Sequence, residues 1–225
     1  MGAIGRGNVK KAQVVIRAEH ARQIADAATT AMSTDDVTPI LTGAHFSMEG
    51  GHLTVVATDR YRVHRARVGV VSAKRAKELS AIVPGAVVSW LAKVSTRIYP
   101  RGPQADQVTL DFEIREDGDP VDAGRVTATV IDQFGSGKVQ LSAPLIKGNF
   151  PPISRLIDEA KGAETSTDER HLSIRFLADI QKAVGRYAKV VIRHTAAKDE
   201  RQKLSPTYVW CDGWFDALIQ PHLGV

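Results

Sequence analysis

The stretch Thr38–Val68, TPILTGAHFSMEGGHLTVVATDRYRVHRARV, decides the fold. From Ile40 to Met48 apolar residues fall at roughly alternate positions, the period of a half-buried strand. Glu49-Gly50-Gly51 then reverses the chain, because adjacent glycines supply the positive φ that a tight hairpin needs. His52–Thr58 is rich in β-branched residues and reads as the return strand. In Ala57-Thr58-Asp59-Arg60-Tyr61-Arg62-Val63 the Thr and Asp side chains can bond the backbone of a turn that leads into a third strand. The stretch is an antiparallel meander with a basic, aromatic turn. That sets a sheet and no function.

Working outward, residues 1–11 are Gly-rich and basic and read as a loose arm. Ala12–Ile16 is a short strand, and Arg17–Met32 a helix with Ala18, Ala21, Ile24, Ala25 and Ala28 on one stripe. Beyond the meander, Ser72–Leu79 fits a loop or a helical turn. Pro84 stands at the first turn of a second helix through Val94, where its missing N–H does no harm. Arg97–Gln107 is a connection and Val108–Ile114 a strand. Asp117–Pro120 is a turn, and Arg125–Phe134 and Lys138–Ile146 are two more strands. Helix plus strands thus occurs twice between Ala12 and Ile157, a repeat of architecture. Asp158–Glu169, acidic and without periodicity, reads as a linker. A third amphipathic helix from Leu172, a strand Val190–Arg193, a charged turn Ala196–Lys203, a strand Thr207–Trp210 and an apolar close at Trp214–Leu223 follow. The fold class is α+β, built from about three helix-plus-antiparallel-sheet units. The expected divisions are an arm at 1–11, a domain at 12–157, a linker at 158–169 and a half domain at 170–225.

The 225 residues suffice for one large or two small domains with a sizeable core. Hydrophobic content of 43% and charged content of 24% are ordinary globular values. No apolar run reaches about 18 residues, so no transmembrane helix is expected. Met1–Asn8 lacks the apolar core of a signal peptide, and Arg6 stands where a myristoylation signal has Ser or Thr. The single cysteine, Cys211, cannot form an intrachain disulfide, which fits a reducing cytoplasm, and reads as a buried, inert thiol. A net charge of +5 permits an anionic partner, but the cations are dispersed and serve equally as a solvated surface.

No catalytic set is present. The seven histidines form no H-E-x-x-H, and there is no C-x-x-C, so neither a metal site nor any cofactor is expected. Gly135-Ser136-Gly137-Lys138 fails as a phosphate loop, with Asp132 at the first glycine position and Val139 where Ser or Thr would hold magnesium; it reads as a turn.

Four segments in order carry a resemblance. TP-I-L-TG, the Gly-Gly hairpin with V-ATD-x-YR-V, Ile82-Val83-Pro84 before a helix, and Gly148-Asn149-Phe150-Pro151-Pro152-Ile153-Ser154-Arg155-Leu156-Ile157 together resemble the middle domain of the bacterial DNA polymerase III β sliding clamp. More loosely, Phe176-Leu177-Ala178-Asp179 and the tail Leu218–His222 resemble the second half of that family's last domain. The resemblance implies a DNA-clamp fold and a non-enzymatic processivity factor that encircles duplex DNA without reading sequence. Its helices near Arg17–Met32, Pro84–Val94 and Leu172–Tyr187 would face phosphate. Arg17, Arg22, Lys93, Lys182 and Arg186 are the candidate contacts, although a solvated helix face looks the same.

It also implies a groove for short, largely apolar peptides of polymerase or clamp loader. Residue by residue its wall comprises Leu41, Thr58, Tyr61, Arg62, Val63, Pro151, Arg155, Leu156, Phe176, Leu218, Ile219, Pro221 and His222. Plain core packing explains Leu41, Val63 and Leu218 equally well, whereas Arg62 and Arg155 suit a peptide's polar or acidic end. Arg60 replaces a family glycine, Thr38 a family arginine, and Gln220 and His222 tail methionines, which puts the peptide's identity in question. The family ring has six domains of two units each, so a three-unit chain implies a homo-oligomer in which an odd unit pairs with its counterpart in another copy. Such shortness suits a compact genome such as a phage's. A clamp-derived decoy that binds these peptides without closing a ring is the alternative, and an unrelated α+β enzyme or DNA-binding module a further one.

Overall fold

A computed structural model describes residues 9–97, 107–115, 122–131, 137–197 and 205–222. The turn expected at Asp117–Pro120, Gly135 and Ser136 of the second turn, most of the 97–107 connection and most of the 196–203 turn lie outside the described residues.

The chain runs β1 (Val9–Arg17), α1 (Ala18–Thr29), β2 (Gly43–Glu49), β3 (His52–Thr58), β4 (Arg62–Gly69), β5 (Ser72–Lys74), β6 (Ser80–Pro84), α2 (Gly85–Arg97), β7 (Gln107–Arg115), β8 (Gly124–Ile131), β9 (Lys138–Pro144), α3 (Ser154–Gly162), α4 (Ile174–Val184), β10 (Val191–His194), β11 (Thr207–Cys211) and β12 (Phe215–Ile219). A five-stranded sheet has the order β5-β1-β7-β8-β9, and a seven-stranded sheet the order β10-β11-β12-β4-β3-β2-β6. Every neighbouring pair is antiparallel.

These elements form three units of one design: a lead-in strand, a helix, then a three-strand meander. In units one and two the lead-in strands are exchanged. β1 pairs with β7 of unit two, and β6 of unit two pairs with β2 of unit one. The exchange ties the units together, because neither sheet is complete without the other's strand. Each unit also holds its own lead-in by a corresponding main-chain bond from the residues that follow its meander, which in unit one continues as the β1–β5 ladder. Val71 N–H donates to Val15 C=O at 2.7 Å, Ile146 N–H to Ile82 C=O at 2.9 Å, and His222 N–H to His171 C=O at 2.8 Å. Each acceptor lies at the same place, two residues before the end of its lead-in. Residues 170–173 are therefore the lead-in of unit three, although they pair only at His171.

The third unit joins the first by its last strand. β12 pairs with β4, bringing Leu218 opposite Val63 and Asp216 opposite Arg65. Helices α1, α2 and α4 lie side by side over the sheets with α1 in the middle, and the alanines Ala18, Ala21, Ala25 and Ala28 allow close approach. On the opposite face of the seven-stranded sheet α3 packs Ile157 and Ala160 onto Val56, Val63, Tyr208 and Leu218. Complete burial of Ile157 contributes about 2–3 kcal/mol.

Several expectations are corrected. Val9–Lys11 belong to β1, not to an arm, because they extend its ladder along β7. The segment from Ile40 does not begin a strand. Pro39 opens a 3-10 turn over Pro39–Leu41, and β2 starts at Gly43, where an added Cβ would lie 2.5 Å from the Val83 carbonyl oxygen. Ser72–Lys74 is a short strand, neither loop nor helix, and Ile82–Pro84 is strand up to the helix start. Residues 158–162 of the expected linker are helical, with two apolar side chains enough to anchor a short helix. β9 ends at Pro144, two residues early, since proline offers no N–H for the ladder. Cys211 is buried as expected, and burial beside Asp212 pushes its thiol pKa up.

Candidate functional site

β4 is buried on both faces, and its alternation sorts two kinds of chemistry. Arg62 and His64 point to the helical side. Arg62 donates to Asp179 of α4, its Nε lies 3.1 Å from Asp59 Oδ2 without hydrogen-bond alignment, and its guanidinium sits 4.7 Å from the Phe176 ring centroid. Burial opposes charge on Asp179, but the bonds from Lys182 and Arg62 outweigh it and hold the carboxyl below its ordinary range. His64 Nδ1 lies 3.0 Å from the Ala27 carbonyl and 3.1 Å from Thr30 Oγ1 on α1. Complete burial depresses its pKa to about 4 despite the Ala27 bond.

Arg65 points the other way and is 1% exposed. It donates two bonds to Asp216 Oδ2 of β12, at 3.1 and 2.9 Å, and one to Asp158 of α3 at 2.8 Å. Tyr208 O–H donates to the same carboxylate of Asp216. Burial alone would lower the Arg65 pKa, yet these acid partners raise it. Arg62 and Arg65 thus fasten unit three to unit one from both faces of the sheet.

Between α3, the 60–63 turn and the β11–β12 side lies a cleft of about 240 Å³. Tyr61, Arg62, Val63, Leu156 and Leu218 of the expected groove meet there. Arg62 borders it while its guanidinium turns to the opposite face, so that charge is committed to Asp179 and not to a ligand. The other expected groove residues lie elsewhere. Leu41 is buried in its 3-10 turn and Ile219 in the core. The Thr58 hydroxyl donates to Arg62 C=O and holds the turn from behind. Phe176 lies under Arg62 on the helical side, and Pro151 lines a separate depression of about 710 Å³. Pro221 is buried, and His222 bonds His171. Arg155 is 81% exposed and pairs with Glu159, which does line the cleft.

Sequence reasoning missed Glu159, Ala160 and Ala163 of the α3 side, Thr195 and Ala196, and Ser205 and Pro206. Ser205 is buried, and its hydroxyl has no hydrogen-bond partner among the described residues. At the mouth two departures from the family pattern meet: the Arg60 guanidinium donates to the Thr38 hydroxyl. Arg60 adopts φ 79°, a conformation that favours the glycine it replaces.

On the helical side Arg17, Arg22, Lys93, Lys182 and Arg186 are all exposed on or beside the three helices. Arg17 pairs with Glu19 at 3.5 Å, Arg22 with Asp26 at 3.2 Å, and Lys182 with Asp179 at 2.7 Å, while Arg186 lies 5.7 Å from the Tyr187 ring centroid. No group of three or more His, Cys, Asp or Glu among the described residues is placed to hold a metal, and no described helix is long and apolar enough to cross a membrane.

A layer of adjoining helices under joined antiparallel sheets, with an apolar cleft on the far face, defines the DNA-clamp class of fold. Solved structures agree. The sliding clamp of Bartonella birtlesii bound to griselimycin matches with a TM-score of 0.67 at 14% identity, over 100% of this chain and 68% of that one. The Bacillus subtilis clamp matches with a TM-score of 0.64 at 15% identity, over 100% and 67%. The family model for the central domain of the DNA polymerase III beta subunit matches residues 15–152, more than half of the chain. The chain belongs to the DNA polymerase III beta subunit family, whose members are processivity factors and not enzymes. The beta sliding clamp of Micrococcus luteus is 26% identical over 170 residues, 76% of this chain, and the chain spans about half, 46%, of that relative's length.

Proposed function

We propose that the protein is a sliding clamp that encircles duplex DNA as an oligomeric ring, in the cytoplasm, and tethers a polymerase or other replication protein by a peptide held in the α3 cleft. The family match over residues 15–152 carries this reading. The two faces of the seven-stranded sheet divide the work. Exposed cations on α1, α2 and α4 meet phosphate without reading bases, and the cleft on the opposite face stays open to a peptide. Tyr61, Val63, Leu156 and Leu218 would take apolar anchors, and the Ser205 hydroxyl a polar group of the peptide.

The test is retention on a nicked circular duplex, loaded with the cognate loader or by reversible opening of the ring. A topological clamp stays on the circle in high salt and leaves when the circle is cut. A protein lost from circle and line alike as salt rises contacts phosphate without enclosing the duplex. One observation favours a second reading, the peptide-binding decoy: Arg17, Arg22 and Lys182 are already paired with acids, which weakens the field offered to DNA. A decoy binds peptide and is not retained on the circle.

A further inference from the structure

The third unit repeats the design of the first two and, among the described residues, lacks their mate. In units one and two the last residue of each lead-in strand stands opposite the first residue of the other unit's meander: Pro84 opposite Gly43, and Arg17 opposite Gln107. The same rule places Ser173 opposite Val191 and Leu172 opposite Ile192. Among the described residues neither alignment is made within the chain: β10 pairs only with β11, and just past it Thr195 bridges Thr165.

Burial at matched positions records the missing mate. Ala18, the first residue of α1, is 4% exposed, whereas Ile174, the first of α4, is 77% exposed. Ala44 and Val108, second in their strands, are both 0% exposed, whereas Ile192, second in β10, is 47% exposed. Backbone direction agrees with this. The His171 carbonyl faces His222, so the N–H and C=O of Leu172 face away from the unit's own tail. The Thr195 N–H faces Pro206 and the His194 carbonyl faces Ser166, so the N–H and C=O of Ile192 point to the open edge.

We infer that a second copy of this chain completes unit three by reciprocal strand exchange: Leu172-Ser173 of each copy pairs with Val191-Ile192 of the other about a two-fold axis, with the two α4 helices packed together as α1 packs on α2. A second copy fits because the open edge and the open lead-in are the two halves of one exchange, and a two-fold axis satisfies both at once. Thr165 and Ser166 of the same chain already occupy the edge at Thr195 and His194, which ends the exchange there and fixes its register. This pairing supplies the oligomer that the ring reading requires, and it rests on that reading only for its purpose.

The test uses the 225-residue chain. Ser173 and Val191 form a non-hydrogen-bonded pair in this register, the spacing that suits a disulfide. The double variant S173C/V191C, mildly oxidised, is expected to run on a denaturing, non-reducing gel at twice the chain mass of 24.4 kDa. Wild-type chain, with Cys211 buried, stays at the chain mass. Ile192→Pro removes only an outward-facing N–H and is expected to abolish the dimer in solution while far-ultraviolet circular dichroism is unchanged. A double-cysteine variant that stays monomeric, a ladder of higher species without a dominant dimer, or an Ile192→Pro chain that dimerises like wild type overturns the pairing. A crosslinked dimer that is not retained on circular DNA overturns the ring reading alone.

Discussion

Units one and two have exchanged their first strands, and unit three has no such partner for its own among the described residues. The three share a design down to one main-chain hydrogen bond, yet Ala44 and Val108 are fully buried where Ile192 is half in water. Local design therefore does not settle burial; the mate does. The first pair is held by a shared apolar core, with Val14, Ile16, Ile24, Phe46, Val83, Leu91, Leu110 and Phe112 all buried together. Unit three enters the same core through Ile180, Ala183, Val209, Phe215, Ala217 and Ile219, and is fastened in addition by β12 on β4 and by two buried arginines. A region closed by strand exchange and apolar packing and a region that adds buried charged staples to the same core should respond differently to mutation and to pH.

The largest effect is expected at Arg65. Arg65→Ala strands the buried Asp216 and costs about 3–5 kcal/mol, read as a lower urea midpoint. Hydrogen exchange should then rise first in β10, β11 and β12 and leave β7 and β8 protected. Equal loss of protection in both regions would break the comparison.

A smaller effect is expected from pH at His64, where α1, β4 and β12 meet; Phe215 lies edge-on at 5.2 Å. The folded pKa of about 4 is below the ordinary value of 6.5. The unfolded chain therefore binds the proton first as pH falls. The stability tied to neutral His64 is complete above pH 6.5, is lost progressively toward pH 4, and amounts to roughly 3 kcal/mol across that window. His64→Gln should flatten this part of the stability–pH curve, and an unchanged slope would remove His64 from the account.

The smallest effect is expected at Arg60→Gly. Relief of the positive φ, about 1–2 kcal/mol, is offset by the chain entropy of glycine, about 0.5–1 kcal/mol. Stability should rise by no more than about 1.5 kcal/mol by calorimetry. A drop greater than about 1 kcal/mol would mean that the contact with Thr38 matters more than the backbone.

Much of the first pair was legible in the sequence because its signals are local. Two adjacent glycines mark the hairpin, an alanine stripe marks α1, and alternation marks β7. What was not legible is non-local. Residues 170–173 form a lead-in only because His222 returns to them, and Ser72–Lys74 is a strand only because β1 lies beside it. Helix α3 is short and evenly charged, with Ile157 and Ala160 as its inward contacts, too few for a periodic signal. The cleft was half legible for the same reason. Tyr61, Val63, Leu156 and Leu218 sit in the quoted segments, whereas Thr195, Ser205 and Pro206 reach it from loops between β10 and β11. Arg62 invited a ligand-binding reading because its partner Asp179 lies 117 residues away. The one available signal was a strand carrying Arg62, His64 and Arg65 among apolar residues, which demands acids elsewhere in the chain.

The most direct measurement is the mass of the wild-type chain by light scattering coupled to size exclusion, across a wide range of protein concentration. A species at twice the chain mass of 24.4 kDa, or a discrete even multiple of it, is the predicted result. A monomer at every concentration, or an odd-numbered assembly, would contradict the account.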